Sequence, residues 1–333
     1  MAWVLFCQGI SRNPARTTRE RALVRIRLAT WVWSDCIPLR STDSLRRMRD
    51  TLPSPAEGID VSVAKEAALE AWLRDRARVA IGYSGGVDSA YLAVVAREVL
   101  GAGNVLAIIG RSASYPAAQW EAARNVATAF DVPVLELDTD ELNDPRYAAN
   151  PSNRCYFCKT ELWSKLVPIA RERGFESVAD GTNADDLTDH RPGAQAAREH
   201  RVMSPLAELG FTKQDIRDCS RTRGIPTWSQ PSSPCLSSRL PYGTSVTADR
   251  LHQVEVAERS LRALGIMNDL RVRYHDDLAR VELSQESLAT WMRPERFTAL
   301  RAAMIDAGFA RVALDIRGFR SGSLNVLHGV GAA

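Results

Sequence analysis

The sequence is poor in cysteine and histidine, has no long apolar run and contains no Gly-Lys pair. Six cysteines in 333 residues are too few for a disulfide scaffold, and the five histidines show no metal-ligand spacing such as HExxH. No segment is apolar over the length that a bilayer requires, and no secretory signal is present, so we expect a cytoplasmic protein without a membrane span. A Walker A loop, which needs Gly-Lys, is also excluded.

The basic residues are unevenly distributed along the chain. The net charge is +3, from 43 Lys and Arg against 40 Asp and Glu. Residues 1–50 hold ten Arg and four acidic residues, so the rest of the chain has a net charge of −3. We predict that residues 1–50 are an added, disordered segment or sequence upstream of a true start at Met48. The bulk charge of the remaining chain argues against nucleic-acid binding, which needs a cationic surface.

Apolar runs alternate with amphipathic stretches in the first half of the chain. A helix at 61–76 is predicted to precede strands at 78–83, 105–110, 134–138 and 177–180, with helices between them, including one over 161–173. This alternation predicts an α/β fold with a parallel sheet covered on both faces.

The second half of the chain is less regular. A proline-rich loop at 229–246 is predicted to separate a first domain, 61–228, from a small α+β domain, 247–325. The predicted elements of that second domain are a helix at 247–264, a hairpin of 270–274 with 278–283, a helix at 295–307 and a strand at 311–315.

A glycine turn follows the first strand and opens a helix. Backbone N–H groups and the positive end of the helix dipole gather at such a position, and adjacent glycines let an anion approach the backbone. A carboxylate beside phosphates is useful when it helps to hold Mg²⁺. The turn consists of Ser84, Gly85, Gly86, Val87, Asp88 and Ser89. We therefore predict a phosphate site here, with Asp88 as a magnesium ligand.

This SGGVDS turn resembles the PP-loop of the ATP pyrophosphatase superfamily. The resemblance implies an adenine nucleotide α-hydrolase-like fold, and cleavage of ATP between the α and β phosphates instead of γ-phosphoryl transfer. The segment DGTNADD, at 180–186, resembles the acidic loop that faces the nucleotide in that superfamily. The residues expected there on ATP are Gly181, Asn183 and Asp185.

Three cysteines stand in positions that indicate chemistry. Cys155 and Cys158 form a CYFC motif just before the helix predicted at 161–173, and Cys235 lies in the proline-rich loop near Arg239. Cys219 shares a predicted helix face with apolar residues, so we interpret it as a core residue. A zinc site from the three cysteines would lack an evident fourth ligand, whereas a 4Fe–4S cluster can leave one iron free.

Three further segments narrow the resemblance. DGTNADDLTDHRPG at 180–193, SPLAELGFTKQDIR at 204–217 and PCLSSRLPYGTSVT at 234–247 look like the ATP-dependent sulfur transferases of the LarE type, which help to build the nickel-pincer nucleotide of lactate racemase. The resemblance implies adenylation of a carboxylate on a pyridinium mononucleotide, followed by conversion to a thiocarboxylate. Cys235 matches the position of the sulfur donor.

Two branches of that family differ in how sulfur is supplied. One branch sacrifices its own cysteine, and the other holds a 4Fe–4S cluster with three cysteines. The presence of Cys155 and Cys158 beside Cys235 favours the cluster branch. Arg271 and Arg273 alternate on one strand and so share a face, where they are expected to bind the phosphate of the substrate. The resemblance also implies a homo-oligomer and other nickel-pincer maturation proteins as partners.

Three alternatives stay open at this stage. A tRNA thiolation enzyme combines a PP-loop with cluster cysteines, but the acidic balance of residues 51–333 argues against RNA. In an ammonia-using PP-loop synthetase, the three cysteines would be incidental. A nucleotide-binding subunit without catalysis is disfavoured by the intact SGGVDS and DGTNADD segments.

Overall fold

The computed structural model describes residues 55–187, 192–231 and 233–320, with side chains described from Ser62 onward. The predictions for residues 1–50 and for the last residues of the second domain lie outside this part of the chain. Within it, no helix is both long and apolar enough to cross a membrane.

Buried apolar strands build the first sheet. Its four strands are β1 (Val79–Gly82), β2 (Val105–Arg111), β3 (Val134–Asp138) and β4 (Ser177–Ala179), all parallel and in the order β3-β2-β1-β4. The chain runs outward from β1 to β3 on one side and returns to place β4 on the other. The carboxyl ends of β1 and β4 therefore flank the topological switch point, where open α/β sheets bind ligands.

Helices cover this sheet. The longer ones are α1 (Pro55–Arg76), α2 (Val87–Leu100), α3 (Ala117–Ala129), α5 (Arg154–Glu172), α6 (Pro192–Glu199) and α8 (Lys213–Thr222), and the single turns are α4 (Pro145–Ala148) and α7 (Pro205–Glu208). Nine of the ten residues from Val87 to Ala96 in α2, all except Asp88, are buried because that helix packs centrally against β1 and β2. The predicted parallel-sheet α/β fold is confirmed.

A second sheet forms the small C-terminal part. β5 (Leu270–His275) pairs antiparallel with β6 (Leu278–Leu283), which pairs in parallel with β7 (Arg311–Leu314). The apolar face of this sheet packs on α9 (Ala248–Ala263) and α11 (Pro294–Asp306), and a helix that the sequence analysis missed, α10 (Gln285–Trp291), follows β6. The predicted α+β part is thus confirmed.

The helix that carries the CYFC motif starts seven residues earlier than the sequence predicted. Cys155 and Cys158 lie in the first turns of α5, not in a loop before it. The start is fixed by tertiary contacts of the buried Arg154, which donates hydrogen bonds to Asn150 Oδ1 and to the carbonyl oxygen of Ser237, 3.1 Å away. Local propensity cannot register such long-range bonds.

Candidate active site

The SGGVDS turn sits at the end of β1, at the centre of the sheet. Gly85 has a φ of +66°, and a Cβ there would lie 2.3 Å from the Cβ of Ala123, so only glycine fits. Ser84 N donates to Ser89 Oγ over 3.2 Å, and Ser89 Oγ donates to the carbonyl oxygen of Gly86 over 3.2 Å, which closes the turn. No side chain caps α2 at Gly86. The first N–H groups of α2 are therefore available to an anion.

The acidic loop after β4 lies directly against this turn. A Cβ at Gly181 would be 2.8 Å from the backbone nitrogen of Ser89, so the two loops touch through backbone atoms. Asn183 is buried, and its Oδ1 accepts hydrogen bonds from the backbone nitrogens of Asp185 and Asp186. Asp185 in turn accepts from Lys213 N over 2.8 Å. Contacts of Gly181, Asn183 and Asp185 with ATP stay a prediction.

A lysine that the sequence analysis did not single out joins the predicted phosphate site. Lys213 Nζ lies 2.5 Å from Asp88 Oδ2 and lines, with Ser84, Gly86 and Asp88, a cavity of about 150 Å³. Lys213 is the first residue of α8, where the helix dipole disfavours a cation. A lysine at the start of a helix was therefore the feature of the sequence that could have indicated a role for Lys213. The loop without a Walker lysine thus receives an ammonium group from a segment 125 residues away.

The proline-rich loop forms another wall of the same cavity. Gln230, Pro231 and Ser233 line it opposite the SGGVDS turn, together with Gln119 from α3. Two residues farther along the chain is Cys235, which is half-buried and precedes a short turn at Leu236–Arg239. The phosphate cavity and the candidate sulfur donor therefore share one loop.

Buried ion pairs hold the Cys235 end of this loop. Arg239 is 2% exposed and forms a two-pronged pair with Glu258, with N–O distances of 2.9 Å in both bonds. The same guanidinium donates to the carbonyl oxygens of Pro234 and Cys235, at 2.5 and 3.0 Å. Leu236 N donates to the carbonyl oxygen of Ser114 over 2.8 Å. Cys235 is thus fixed to both parts of the fold.

The three predicted cysteines lie near enough for their thiols to affect one another's ionisation. Desolvation, followed by the neighbouring Cys235, raises the pKa of the Cys155 thiol, although Cys155 keeps contact with solvent. Desolvation, then Glu141 and Cys235, raises the pKa of Cys158. Glu141 is 2% exposed, with its Oε1 4.0 Å from Cys158 Sγ. The structure therefore brings together two segments that lie about 80 residues apart in the sequence.

The three cysteines do not have the geometry of a closed metal site. Among the described residues, no group of three or more His, Cys, Asp or Glu side chains is placed to hold a metal ion. The predicted 4Fe–4S cluster is therefore not supported by these positions. Cys219, in contrast, is buried in the core beside Ile216, as predicted.

Arg271 and Arg273 share a face of the second sheet. Both are buried: Arg273 donates to Glu282 and to the carbonyl oxygen of Ser238, each over 2.9 Å, and Arg271 lies over the ring of Phe319. Desolvation, then the nearby Arg239 charge, lowers the pKa of Arg271 to about 10. Several guanidinium groups are thus concentrated next to the Cys235 loop. Two of them are already paired with carboxylates, Arg239 with Glu258 and Arg273 with Glu282, and phosphate binding there stays a prediction.

Comparison with known proteins assigns the family. Residues 67–151 match the NAD synthase family. The chain is 35% identical over 261 residues to the pyridinium-3,5-bisthiocarboxylic acid mononucleotide synthase of Lactiplantibacillus plantarum, covering 78% of this chain and 94% of that protein. It is 44% identical over 248 residues to an uncharacterised protein of Synechocystis, covering 74% of this chain and 92% of that protein.

A more distant match covers a smaller part of the chain. The argininosuccinate synthase of Natronomonas pharaonis is 26% identical over 164 residues, covering 46% of this chain and 41% of that protein. The extent and identity of the Lactiplantibacillus match, with the PP-loop geometry described above, support an ATP-using enzyme. The chain belongs to the LarE-type family of PP-loop proteins.

Proposed function

We propose that this enzyme adenylates a carboxylate of a pyridinium mononucleotide and then converts it to a thiocarboxylate, within the cytoplasmic synthesis of the nickel-pincer nucleotide. One observation carries the proposal: the loop that bears Cys235 also walls the cavity of the SGGVDS turn. An acyl-adenylate formed in that cavity would lie within reach of sulfur held by the same loop. Proximity of this kind removes much of the entropic cost of the second step.

The first step needs stabilisation of phosphate charge. A carboxylate oxygen of the substrate attacks the α-phosphorus of ATP, the bond to the bridging oxygen breaks, and pyrophosphate leaves with the electron pair. The N–H groups at the start of α2, the hydroxyls of Ser84 and Ser89 and the ammonium of Lys213 would bind the leaving group. Bound Mg²⁺, held by Asp88, would neutralise phosphate charge.

The second step replaces AMP by sulfur. In the sacrificial route, the Cys235 thiolate attacks the acyl carbon and AMP leaves, which gives a thioester. Removal of the Cys235 α-proton then breaks the Cβ–S bond, so that a thiocarboxylate leaves and dehydroalanine remains. In the alternative route, a cluster on Cys155, Cys158 and Cys235 would supply sulfide. Because the described side chains do not form a closed metal site, we derive no step through the cluster.

Arginines on the second sheet would orient the substrate. Arg271 and Arg273 face the Cys235 loop, since Arg273 donates to the carbonyl oxygen of Ser238. A nucleotide phosphate bound by these guanidinium groups would direct the pyridinium carboxylates towards Cys235 and the ATP cavity. Homo-oligomerisation and transfer of the product to other nickel-pincer maturation proteins belong to the same proposal.

The test combines metal analysis with the two half-reactions. The protein is purified without oxygen, its iron and sulfide are measured, and it is incubated with ATP and a pyridinium-3,5-dicarboxylic acid mononucleotide. We expect AMP and pyrophosphate release and a thiocarboxylate product. Loss of the mass of H₂S from Cys235 identifies the sacrificial route, whereas bound iron and sulfide with intact Cys235 identify the cluster route.

Cysteine variants separate the steps. Cys235→Ala is expected to keep AMP release but to form no thiocarboxylate, and Cys155→Ala is expected to lose product only in the cluster route. Cys219→Ala, in the core, is the matched control and should retain both steps. Absence of substrate-dependent AMP release from the folded wild-type protein would contradict the proposed function.

A further inference from the structure

Three oxygen atoms on side chains that line the cavity of the SGGVDS turn are buried and have no hydrogen-bond partner. They are Asp88 Oδ1, Gln119 Oε1 and Gln230 Oε1. The three side chains come from different segments, namely the start of α2, helix α3 and the Cys235 loop, and all three line the same cavity of about 150 Å³. Buried acceptors without a donor are rare in folded proteins because they are costly, so these three acceptors indicate a bound group that satisfies them.

The orientation of two of these groups is fixed by their other atoms. Gln119 Nε2 donates to the carbonyl oxygen of Ser84 over 3.1 Å, which leaves its amide oxygen as the unpaired atom. Asp88 Oδ2 accepts from Lys213 over 2.5 Å, which leaves Oδ1. The unpaired atoms are therefore oxygen acceptors, and they do not match the phosphates of ATP, which also only accept.

A cation resolves this mismatch. Mg²⁺ prefers oxygen ligands, keeps several waters and is commonly shared between one or two protein groups and substrate phosphates. Carboxylate and amide oxygens suit it. We infer that Asp88, Gln119 and Gln230 together form the binding site for the metal ion that accompanies ATP, an inference that rests on the ATP binding of the proposed function.

Gln230 also connects this metal site to the loop that contains Cys235. Its backbone oxygen accepts from Arg217 over 3.2 Å, and Cys235 follows five residues later in the loop. A metal ion held by Asp88 and Gln230 links the SGGVDS turn to the loop that bears the sulfur donor. Gln230 is thus a positioning residue through which metal–nucleotide binding sets the place of the Cys235 loop.

The inference is tested with Mn²⁺ as the probe, because its electron paramagnetic resonance signal reports free and bound ion. Mn²⁺ is titrated into the full chain in the presence of a non-hydrolysable ATP analogue. We expect Gln119→Leu and Gln230→Leu to weaken Mn²⁺ binding by about tenfold to a hundredfold. Gln230→Glu, which keeps an oxygen ligand, should restore it. Gln214→Leu, at an exposed position on α8, is the matched control.

Two outcomes separate this inference from the proposed function. If both leucine variants are folded and bind Mn²⁺ with the analogue as tightly as Gln214→Leu does, the glutamines are not ligands and the inference is overturned. If the wild-type protein binds neither the analogue nor Mn²⁺ with it, the proposed function fails as well. Weakened Mn²⁺ binding with unchanged affinity for the metal-free analogue supports the inference specifically.

Discussion

Gly181→Ala probes the contact between the acidic loop and the SGGVDS turn. The added Cβ would lie 2.8 Å from Ser89 N, 3.0 Å from Ser89 Cα and 3.2 Å from the carbonyl carbon of Asp88. All three atoms belong to the backbone, so no side chain can rotate away. The two loops must separate by about 0.6 Å to reach ordinary contact, and overpacking of this kind costs about 1–3 kcal/mol.

The expected result has a thermodynamic and a functional part. We expect the midpoint of thermal unfolding to fall by a few degrees, at about 2–4 °C per kcal/mol for a domain of this size. Displacement of Asp88 and Ser89 should also reduce ATP-dependent AMP release by about tenfold to a hundredfold, because catalysis is sensitive to errors well below 1 Å.

Gly103→Ala is the matched control for this experiment. A Cβ at Gly103 would meet no heavy atom within 4 Å, and its φ is not in the positive range. Calorimetry and a pyrophosphate-release assay on both variants decide the question. If Gly181→Ala unfolds at the same temperature as Gly103→Ala and releases AMP at the same rate, the close backbone packing deduced here is refuted.

Three further predictions concern other contacts. Arg239→Ala should lower the free energy of unfolding by about 3–5 kcal/mol, because the variant leaves Glu258 without its ion-pair partner. The same variant should accelerate alkylation of Cys235. Equal urea midpoints for variant and wild type would contradict the expected loss of stability. Burial favours the neutral form of Asp215, but hydrogen bonds from Lys65 and Thr212 outweigh it and lower the pKa below the ordinary 3.8. The stability that Asp215 contributes is therefore fully present above its unfolded-state pKa of 3.8 and is lost as the pH falls through its folded-state pKa. Asp215→Asn should lower the free energy of unfolding by about 1 kcal/mol at pH 7, and acid denaturation curves should show this difference from the wild type shrinking as the pH falls. Burial, then Glu66, raises the pKa of Cys219 to about 12, so peptide mapping after native iodoacetamide treatment below about pH 10 should find it unmodified.

Local sequence patterns predicted the fold because each pattern corresponds to burial in one element. The run RVAIGY predicted β1, whose Val79, Ala80 and Ile81 are fully buried in the parallel sheet. Local capping patterns act in the same way: the Thr212 side chain accepts from Asp215 N in a capping box at the start of α8. By the same rule, Ser284, which accepts from Ser287 N, would have revealed α10.

The missing parts of the candidate site depend on contacts that no local pattern contains. Lys213 reaches Asp88 across 125 residues, and Gln230 joins the same cavity from the proline-rich loop. The signal for Lys213 in its own segment was only its place at the start of a helix, and Gln230 has no such signal. Only the parallel order of β1 and β4, which places their loops side by side, brings these groups together.

The contacts of the Cys235 loop divide between the two steps of the proposed reaction. Its first half, at Gln230 and Ser233, belongs to the phosphate cavity, whereas Arg239 joins its second half to Glu258 of α9. An acyl-adenylate reacts with water unless a sulfur nucleophile is already close. A loop that is fixed at both ends keeps sulfur close without requiring a large motion after adenylation. The geometry therefore favours transfer in place over diffusion of an activated intermediate.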